Sequence, residues 1–272
     1  MPELPEVEVT RRGIEEHLKN KTITKIISRQ KKLRWPIPTT LLKNQLEGKK
    51  VHKICRRGKY LLLKCGNGWL IVHLGMSGTL RIVPEKTRPE KHDHFEIWLN
   101  SKFALKFNDP RRFGAILWES EDPKYHPLIK SIAPEPFCNA FNKNWLFDNI
   151  NKRNASIKSL IMNSSIVAGV GNIYANESLY KAGIHPFLPG KMLSRDRCHL
   201  LVKAIKITLK NAIKHGGSSL QDYVNIDGLP GYFQQKYRVY NRKGMPCKKC
   251  NRKISKQIHL QRATYFCKNC QI

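Results

Sequence analysis

Four cysteines close to the C-terminus impose the strongest constraint on how this chain folds. They form two pairs of equal spacing, Cys247 with Cys250 and Cys267 with Cys270, separated by sixteen residues. Pairs of this kind hold a tetrahedral zinc ion through four thiolates, and the metal replaces a hydrophobic core that so short a segment lacks. We therefore predict one structural zinc ion; a reduced or iron-binding cluster is the alternative. His259 lies between the pairs, but four thiolates already complete the tetrahedron.

The remaining cysteines and the N-terminus bear on the cellular compartment. The other four cysteines are isolated, so they do not form the disulfide framework of a small secreted protein. We predict that they are buried or half-buried small hydrophobic residues: Cys55, Cys65, Cys138 and Cys198. The chain has no apolar run of about 18 residues, and its first residues are acidic. A cytoplasmic protein with no membrane span is predicted, associated with the nucleoid in a bacterium.

The charge of the chain is strongly positive. Fifty Lys and Arg residues stand against twenty Asp and Glu residues, which leaves a formal net charge of +30. Such an excess favours a polyanionic partner, because each neutralised phosphate releases counterions. A lysine-rich surface that reflects only the composition of the source organism is the alternative. Charge does not distinguish DNA from RNA.

Hydrophobic patterning predicts that the first half of the chain is rich in β-strands. Residues 5–19 are predicted to form a helix, since Pro5 suits a first helical turn and Glu6 favours its positive end. Short β-rich runs then follow, separated by Gly, Pro and Asn, at 22–28, 60–64, 69–73, 95–99 and 104–107. This spacing indicates a β-sandwich or a barrel.

The second half of the chain has helical periodicity. Helices are predicted at 145–150, 157–162, 173–182 and 195–215. The segment Ala133–Pro136 interrupts the β-rich pattern and is the predicted linker. We predict an α+β protein with an N-terminal domain at 1–132, a linker at 133–144, a helical domain at 145–240 and a zinc finger at 241–272.

Two turns carry residue types that suit a nucleic acid. Gly169 and Gly171 precede a predicted helix with Asn172 at its N-cap. The backbone N–H groups at such a helix start can form a phosphate-binding site. In the turn at 108–114, Arg111 can hydrogen-bond a base edge and Phe113 can insert between bases. Taken alone, an ordinary helix start and a surface turn with a core-anchoring Phe explain these segments at least as well.

These segments occur together with others in an order that resembles the formamidopyrimidine-DNA glycosylase family of bacteria. The matching stretches run nearly from end to end and include 2–8, 58–62, 73–78, 91–94, 111–113, 171–174, 222–225, 230–233 and 261–264. The resemblance implies an N-terminal β-sandwich domain with an N-terminal helix. It also implies a C-terminal helix–two-turns–helix domain with a four-cysteine zinc-finger hairpin. This α+β architecture agrees with the patterning of the sequence.

The resemblance assigns the chemistry to four residues. Pro2, which becomes the N-terminus once Met1 is removed, would attack C1′ of a damaged nucleotide through its amine. An α-amino group titrates at about pH 7.7–8.0, so a useful fraction is neutral at physiological pH. Glu3 would act as general acid, and Lys59 would assist at the lesion and during elimination. Arg262 would stabilise a phosphate, because arginine rarely gives up its proton.

The resemblance also implies a monomer that binds double-stranded DNA containing oxidised purines or abasic sites. Met76, Arg111 and Phe113 would fill the void that a flipped nucleotide leaves. Four further residues would hold the DNA backbone: His92, Arg153, Lys158 and Asn172. The loop at 218–233 would close on the flipped 8-oxoguanine, and Glu177 would help to line its pocket.

The implied function is excision of oxidised purines through a Schiff base on Pro2, followed by strand cleavage through β- and δ-elimination. The near alternative is an endonuclease VIII-like enzyme for oxidised pyrimidines, which Leu4, the turn at 111–113 and the loop at 218–233 disfavour. The second alternative is a non-catalytic zinc-finger DNA-binding protein, which Pro2, Glu3 and Lys59 disfavour.

The chain departs from the family pattern at three positions. Asn163 lies where an acidic residue is common, Lys268 takes a frequent Pro position, and Asn251 stands where Gly is usual. Asn tolerates the left-handed backbone that such a Gly adopts. None of the three removes a reacting group. The pair His92 and His94 offers a weaker metal-binding hypothesis, because side chains two apart share one face of a strand.

Overall fold

The computed structural model describes residues 2–218 and 233–272 of the chain. Contacts divide the chain into two units. The first consists of Met1–Lys130 with His215–Tyr232, and the second of Ser131–Lys214 with Phe233–Ile272, each within the described residues. The four predicted domain ranges subdivide the chain more finely than these units do, and they stay predictions.

The first unit begins with the helix α1 (Leu4–Leu18), which the sequence predicts at 5–19. Glu3 is its N-cap, and a capping box joins the two ends of the first turn. The side chain of Glu3 accepts from the backbone of Glu6, and the side chain of Glu6 accepts from the backbone of Glu3. This arrangement satisfies N–H groups that have no partner within the helix. Apolar positions spaced by seven and four residues place Val7, Ile14 and Leu18 in the core.

Two four-stranded antiparallel sheets follow α1 in the first unit. One sheet has the order β1 (Ile23–Ser28), β6 (Asp93–Leu99), β7 (Phe103–Asn108) and β5 (Thr79–Pro84). The other has the order β2 (Val51–Arg57), β3 (Tyr60–Cys65), β4 (Gly68–His73) and β8 (Ala115–Glu119). The short helix α2 (Thr39–Leu46), for which no prediction is made from the sequence, lies between β1 and β2.

One hydrophobic core joins both sheets. Ile26 and Phe95 come from one sheet, Leu63 and Ile116 come from the other, and Ile14 comes from α1. Alternate residues of these strands point into a shared interior, as expected for sheets that pack face to face. The predicted β-sandwich with an N-terminal helix is therefore confirmed.

The second unit consists of helices and a C-terminal hairpin. Its helices are α3 (Lys143–Ile150), α4 (Ile157–Met162), α5 (Asn172–Ala182) and α6 (Arg195–Lys214). The hairpin is formed by β9 (Ser255–His259) and β10 (Arg262–Phe266), joined by Leu260 and Gln261. Both linking residues have positive φ values, 46° and 59°. A two-residue turn of this hand matches the twist of the strands that it connects.

Two details of the sequence analysis are wrong. Asn172 is the first residue of α5, and Gly171 is the N-cap; the Asn172 side chain instead donates to the carbonyl of Ala263. Cys138 is exposed rather than buried, because it lies in a surface turn in which its N–H donates to Glu135 O. Cys65 and Cys198 are buried and Cys55 is half-buried, as predicted. Within the described residues, no helix has the length and apolar character needed to cross a membrane.

A buried ion pair in the first unit generates a stability prediction. Lys106 Nζ lies 3.6 Å from Glu96 Oε1, and both side chains are 1% exposed. We expect Glu96→Ala to lower the free energy of unfolding by about 3 kcal/mol, because it leaves a buried ammonium without its carboxylate. Asp148→Ala, which breaks the exposed 3.8 Å pair with Arg195, should change the stability by less than about 0.5 kcal/mol. Urea-induced unfolding measures both values, and equal effects would contradict the prediction.

Candidate functional site

The N-terminal segment of the first unit is held by one carboxylate. Pro2 and Glu3 are buried, and Glu6 is 1% exposed. Oε2 of Glu6 accepts from the N–H of Glu3 at 2.9 Å, and Oε1 accepts from the N–H of Ser218 at 2.8 Å. Gly217 has a φ of 80°, and a Cβ there would lie 3.1 Å from Glu6 Oε1. Glu6 thus fixes the backbone next to Pro2 and the backbone of Ser218 together.

Lys59 occupies a tight turn that is tied to α1. Arg57 pairs with Tyr60, so Gly58 and Lys59 form a two-residue loop between β2 and β3, with a φ of 55° at Gly58. Arg56 donates to Gly58 O and to Glu8 of α1, both at 3.0 Å. These bonds tie the turn that contains Lys59 to α1.

His73 lies at the end of β4, directly opposite Tyr60. Their rings are 4.7 Å apart, and His73 Nδ1 accepts from the N–H of Gly75 at 3.1 Å. Burial, together with the positive charges of Lys59 and Arg34, lowers the pKa of His73 to about 4. The ring is therefore neutral at physiological pH, and this neutrality favours the hydrogen bond that it accepts.

Two turns of the first unit carry the residues predicted to fill the void in DNA. One turn contains Met76, and the other contains Arg111 and Phe113. The buried carboxylate of Asp109 joins them, because it accepts from Ser77 Oγ at 2.7 Å and from the N–H of Gly114 at 2.8 Å.

A close backbone approach also packs the two turns against each other. Gly75 has a φ of 66°, and a Cβ there would lie 2.4 Å from the carbonyl carbon of Phe113. A side chain at this position would therefore push the turns apart, so the contact depends on glycine.

The side chains on these turns face outward. Arg111 and Phe113 are exposed, with the guanidinium 5.0 Å from the centre of the ring, and Met76 is half-buried. His92 is half-buried, and its carbonyl accepts from the N–H of Asp109. His94 is buried and contacts the carbonyl of Asp109 through Nε2 at 3.0 Å. Among the described residues, these two histidines belong to no cluster of metal-ligating groups.

In the second unit, the hairpin packs on α4 and α5 through polar contacts. Lys158 is 2% exposed, and its Nζ donates to Ala263 O at 3.1 Å and to Thr264 Oγ1 at 2.8 Å. Asn172 Nδ2 donates to the same carbonyl of Ala263 at 3.1 Å. These bonds fix β10, whose first residue is the exposed Arg262. The predicted backbone contacts of Lys158 and Asn172 with DNA stay predictions.

A cleft of about 190 Å³ lies between α4 and the hairpin. Its lining consists of Lys158, Ser159, Met162, Asn163, His259, Leu260 and Arg262. His259 Nε2 is 2.9 Å from Ser156 Oγ at the N-cap of α4, so the imidazole is directed at the helix rather than at the cysteines. Arg153 is exposed just before α4.

Glu177 has a role that the sequence did not indicate. Its buried carboxylate accepts from the N–H groups of Arg238 and Val239 at 2.9 Å and of Tyr240 at 2.8 Å. Burial raises the pKa of this carboxyl, although the three N–H groups act in the opposite direction. Glu177 therefore anchors the backbone after residue 233. Residues 219–232 of the predicted lesion-recognition loop lie outside the described residues.

The four cysteines converge as the spacing predicts. Their Sγ atoms all lie within 4.8 Å of one another, with 3.8 Å between Cys247 and Cys270 and 3.5 Å between Cys250 and Cys267. A four-thiolate zinc site with bonds of about 2.3 Å has sulfur–sulfur edges of about 3.8 Å. Asn251 follows the first pair with a φ of 59°, the left-handed conformation expected there. The cluster can hold a tetrahedral metal ion.

Comparisons with known proteins cover the whole chain. The profile of the formamidopyrimidine-DNA glycosylase N-terminal domain matches residues 1–116, and that of the H2TH domain of the same enzyme matches residues 132–224. The formamidopyrimidine-DNA glycosylase of Hydrogenovibrio crunogenus is 49% identical over 271 residues, which is 100% of this chain and 96% of the relative.

Two solved structures of Lactococcus lactis Fpg are also similar to this chain. One is a complex with DNA that contains an abasic site (TM-score 0.92, 35% identity, 99% of each chain covered). The other is a complex of the wild-type protein with DNA containing N7-benzyl-Fapy-dG (TM-score 0.92, 35% identity, 99% of each chain covered).

The β-sandwich with its Pro-Glu N-terminus, the helical unit and the four-cysteine hairpin together define a DNA glycosylase of the helix–two-turns–helix class. More specifically, the chain belongs to the formamidopyrimidine-DNA glycosylase family.

Asp109 is expected to hold the turn of Arg111 and Phe113 in place. Asp109→Ala leaves the hydroxyl of Ser77 and the N–H of Gly114 without an acceptor, at a cost of about 3 kcal/mol in the free energy of unfolding. The released turn should also be cut faster by chymotrypsin after Phe113. Ser77→Ala removes one of the two bonds and should have a smaller effect on both measurements. Cleavage after Phe113 at the wild-type rate in Asp109→Ala would contradict this role.

The lowered pKa of His73 makes stability depend on pH. The unfolded chain binds a proton at His73 near pH 6.5 and the folded chain only near pH 4, so stability falls as the pH decreases between these values. Between pH 7 and pH 5, wild type should lose roughly 1–2 kcal/mol more than His73→Gln, which does not titrate. Urea unfolding of both chains at the two pH values measures the difference. Parallel losses would show that His73 does not contribute.

Proposed function

We propose that this chain is a bifunctional DNA glycosylase and abasic-site lyase that excises oxidised purines, 8-oxoguanine and formamidopyrimidines, from double-stranded DNA. The observation that carries the proposal is the N-terminal segment, in which the carboxylate of Glu6 fixes the backbone next to Pro2. Besides capping α1, this carboxylate accepts from the N–H of Ser218, 212 residues further along the chain, a bond that helix capping does not require. In the same unit, Arg56 donates to Glu8 and to the carbonyl of Gly58, and these bonds hold the turn that contains Lys59.

The proposed reaction begins after Met1 has been removed. The neutral amine of Pro2 attacks C1′ of the damaged nucleotide, and the bond from C1′ to the base breaks. The amine then loses its proton, and the bond from C1′ to the ring oxygen opens as the double bond from C1′ to nitrogen forms. Glu3 donates a proton to the opening sugar oxygen or to the departing base. Because proline is a secondary amine, the product is an iminium ion with no N–H proton to lose.

The positive charge of this iminium ion drives strand cleavage. It withdraws electrons, so that a proton leaves C2′ and the 3′ phosphate is expelled by β-elimination. A second, δ-elimination expels the 5′ phosphate. Lys59 assists these proton transfers, and Arg262 stabilises a phosphate with a guanidinium that stays charged.

DNA recognition is proposed to use both described turns and the second unit. Met76, Arg111 and Phe113 would fill the void left by the flipped nucleotide, with Arg111 reading the cytosine opposite the lesion. The exposure of Arg111 and Phe113, and the bonds of Asp109 that hold both turns, support this role. His92, Arg153, Lys158 and Asn172 would hold the DNA backbone, and the net charge of +30 would strengthen binding to phosphates. We propose a monomer that acts in the cytoplasm or on the nucleoid.

We propose that the metal of the cysteine cluster is one structural zinc ion. Four thiolates at tetrahedral spacing are the ligand set of structural zinc sites, which leave no position open for a substrate. Cys247, Cys250, Cys267 and Cys270 would hold the ion and so stabilise the hairpin of Arg262.

Two alternative functions differ from the proposed one in the DNA with which the protein would react. An endonuclease VIII-like enzyme would act on oxidised pyrimidines, but the described turn with Arg111 and Phe113 supports a purine opposite cytosine. The complex of Lactococcus lactis Fpg with a formamidopyrimidine lesion supports the same class of substrate for a relative. A non-catalytic zinc-finger protein would bind damaged DNA without reacting with it.

Borohydride trapping tests the proposal directly. Protein whose N-terminus is Pro2 should form a covalent adduct with a duplex containing 8-oxoguanine opposite cytosine, and peptide mapping should place the adduct on Pro2. Pro2→Gly should trap less, and a chain with a residue retained before Pro2 should trap none, since its proline nitrogen is an amide. Lys64→Ala, which removes a half-buried lysine whose Nζ donates to the carbonyl of Asn67, is the control for loss of a lysine elsewhere in the first unit. An adduct on a lysine would refute the proline mechanism, and preferred reaction with a thymine glycol duplex would favour the pyrimidine alternative.

A further inference from the structure

Tyr180 connects α5 to the cysteine cluster. It lies near the end of α5, is 1% exposed, and packs among Val239, Ile254 and Tyr265 in the small core around the cysteines. Its hydroxyl oxygen is 3.1 Å from Cys247 Sγ. The side chain of Cys247 is itself completely buried. The contact therefore joins α5 to a buried sulfur of the cysteine cluster.

We propose that Tyr180 is a positioning residue of the metal centre, whose hydroxyl donates a hydrogen bond to the thiolate of Cys247. This inference rests on the proposed zinc ion, because a metal-bound thiolate carries no proton and can only accept. The direction of the hydrogen bond is then defined. Partners of metal ligands orient the ligand and stabilise its charged form.

The charge of the cluster explains why such a donor is useful. Four thiolates and one zinc ion leave two negative charges, and burial of a charge is unfavourable unless hydrogen bonds offset it. Cys247 accepts a second, longer bond from the N–H of Lys249 at 3.4 Å. The ammonium of Lys249 lies 5.3 Å from the centre of the Tyr180 ring. A cation in that position polarises the phenol and strengthens its hydroxyl as a donor.

The hydrogen bond also links the metal centre to the helix that bears Asn172. From the same helix, Asn176 accepts from the N–H of Tyr265 in β10 at 2.7 Å. Two successive turns of α5 therefore hold the hairpin, one through its strand and one through its metal ligand. Loss of the Tyr180 hydroxyl should weaken the second link and leave the first intact.

The test compares two single hydroxyl deletions in the full chain. Tyr180→Phe removes the proposed donor, and Tyr265→Phe removes a hydroxyl from the same core that makes no hydrogen bond to a cysteine among the described residues. The readout is the rate at which an excess of chelator takes zinc from the folded protein. Tyr180→Phe should release zinc about tenfold faster than wild type, the scale typical for such partners, and Tyr265→Phe should match wild type.

A spectroscopic measurement separates this role from general loosening. In cobalt-substituted protein, loss of a hydrogen bond to sulfur should shift the thiolate-to-cobalt charge-transfer band to lower energy in Tyr180→Phe but not in Tyr265→Phe. Equal zinc release by wild type and Tyr180→Phe, or unshifted bands, would overturn the inference. Elemental analysis of wild type comes first: a chain without zinc contradicts the proposed metal as well, whereas a zinc-loaded chain with unchanged release contradicts only the role of Tyr180.

Discussion

The carboxylate of Glu6 accepts hydrogen bonds from the N–H groups of Glu3 and Ser218 deep inside the first unit. Asp109 does the same for Gly114, and Glu177 does so for Arg238, Val239 and Tyr240 in the second unit. A buried carboxylate without such partners would be strongly unfavourable. Each carboxylate therefore depends on the N–H groups of its loop to offset the cost of its burial. The loop in turn depends on the carboxylate as the acceptor for those N–H groups.

This arrangement explains how acidic residues are used in so basic a chain. Most of the positive charge lies on exposed side chains, where it is available to phosphates. Several of the few carboxylates are buried and accept hydrogen bonds from the main chain. In the interior they do not repel a negatively charged partner at the surface. Side chains of the eleven-residue helix α5 bind three other parts of the second unit. Asn172 and Asn176 bind β10, Glu177 binds the backbone at 238–240, and Tyr180 contacts Cys247.

Sequence patterning predicted the elements that depend on local periodicity and spacing. The β-sandwich follows from alternating strands, α4 has its predicted bounds, and the four cysteines converge because ligand spacing constrains them directly. The interactions that position the functional residues were not predictable in this way. Glu177 looks like an ordinary helical acid, and its partners are about 60 residues away along the chain. Cys138 and the cap of α5 were misassigned because solvent exposure and side-chain competition depend on tertiary neighbours.

The hydrogen bonds of Glu6, Asp109 and Glu177 share a further property: almost all of their partners are main-chain N–H groups. Any residue except proline supplies that group, so these anchors do not specify which side chains the anchored segments carry. Substitutions at such positions can change what a loop presents to the outside while the path of the loop is retained. Related chains can therefore carry different side chains on these loops without rebuilding the interior that holds the loops.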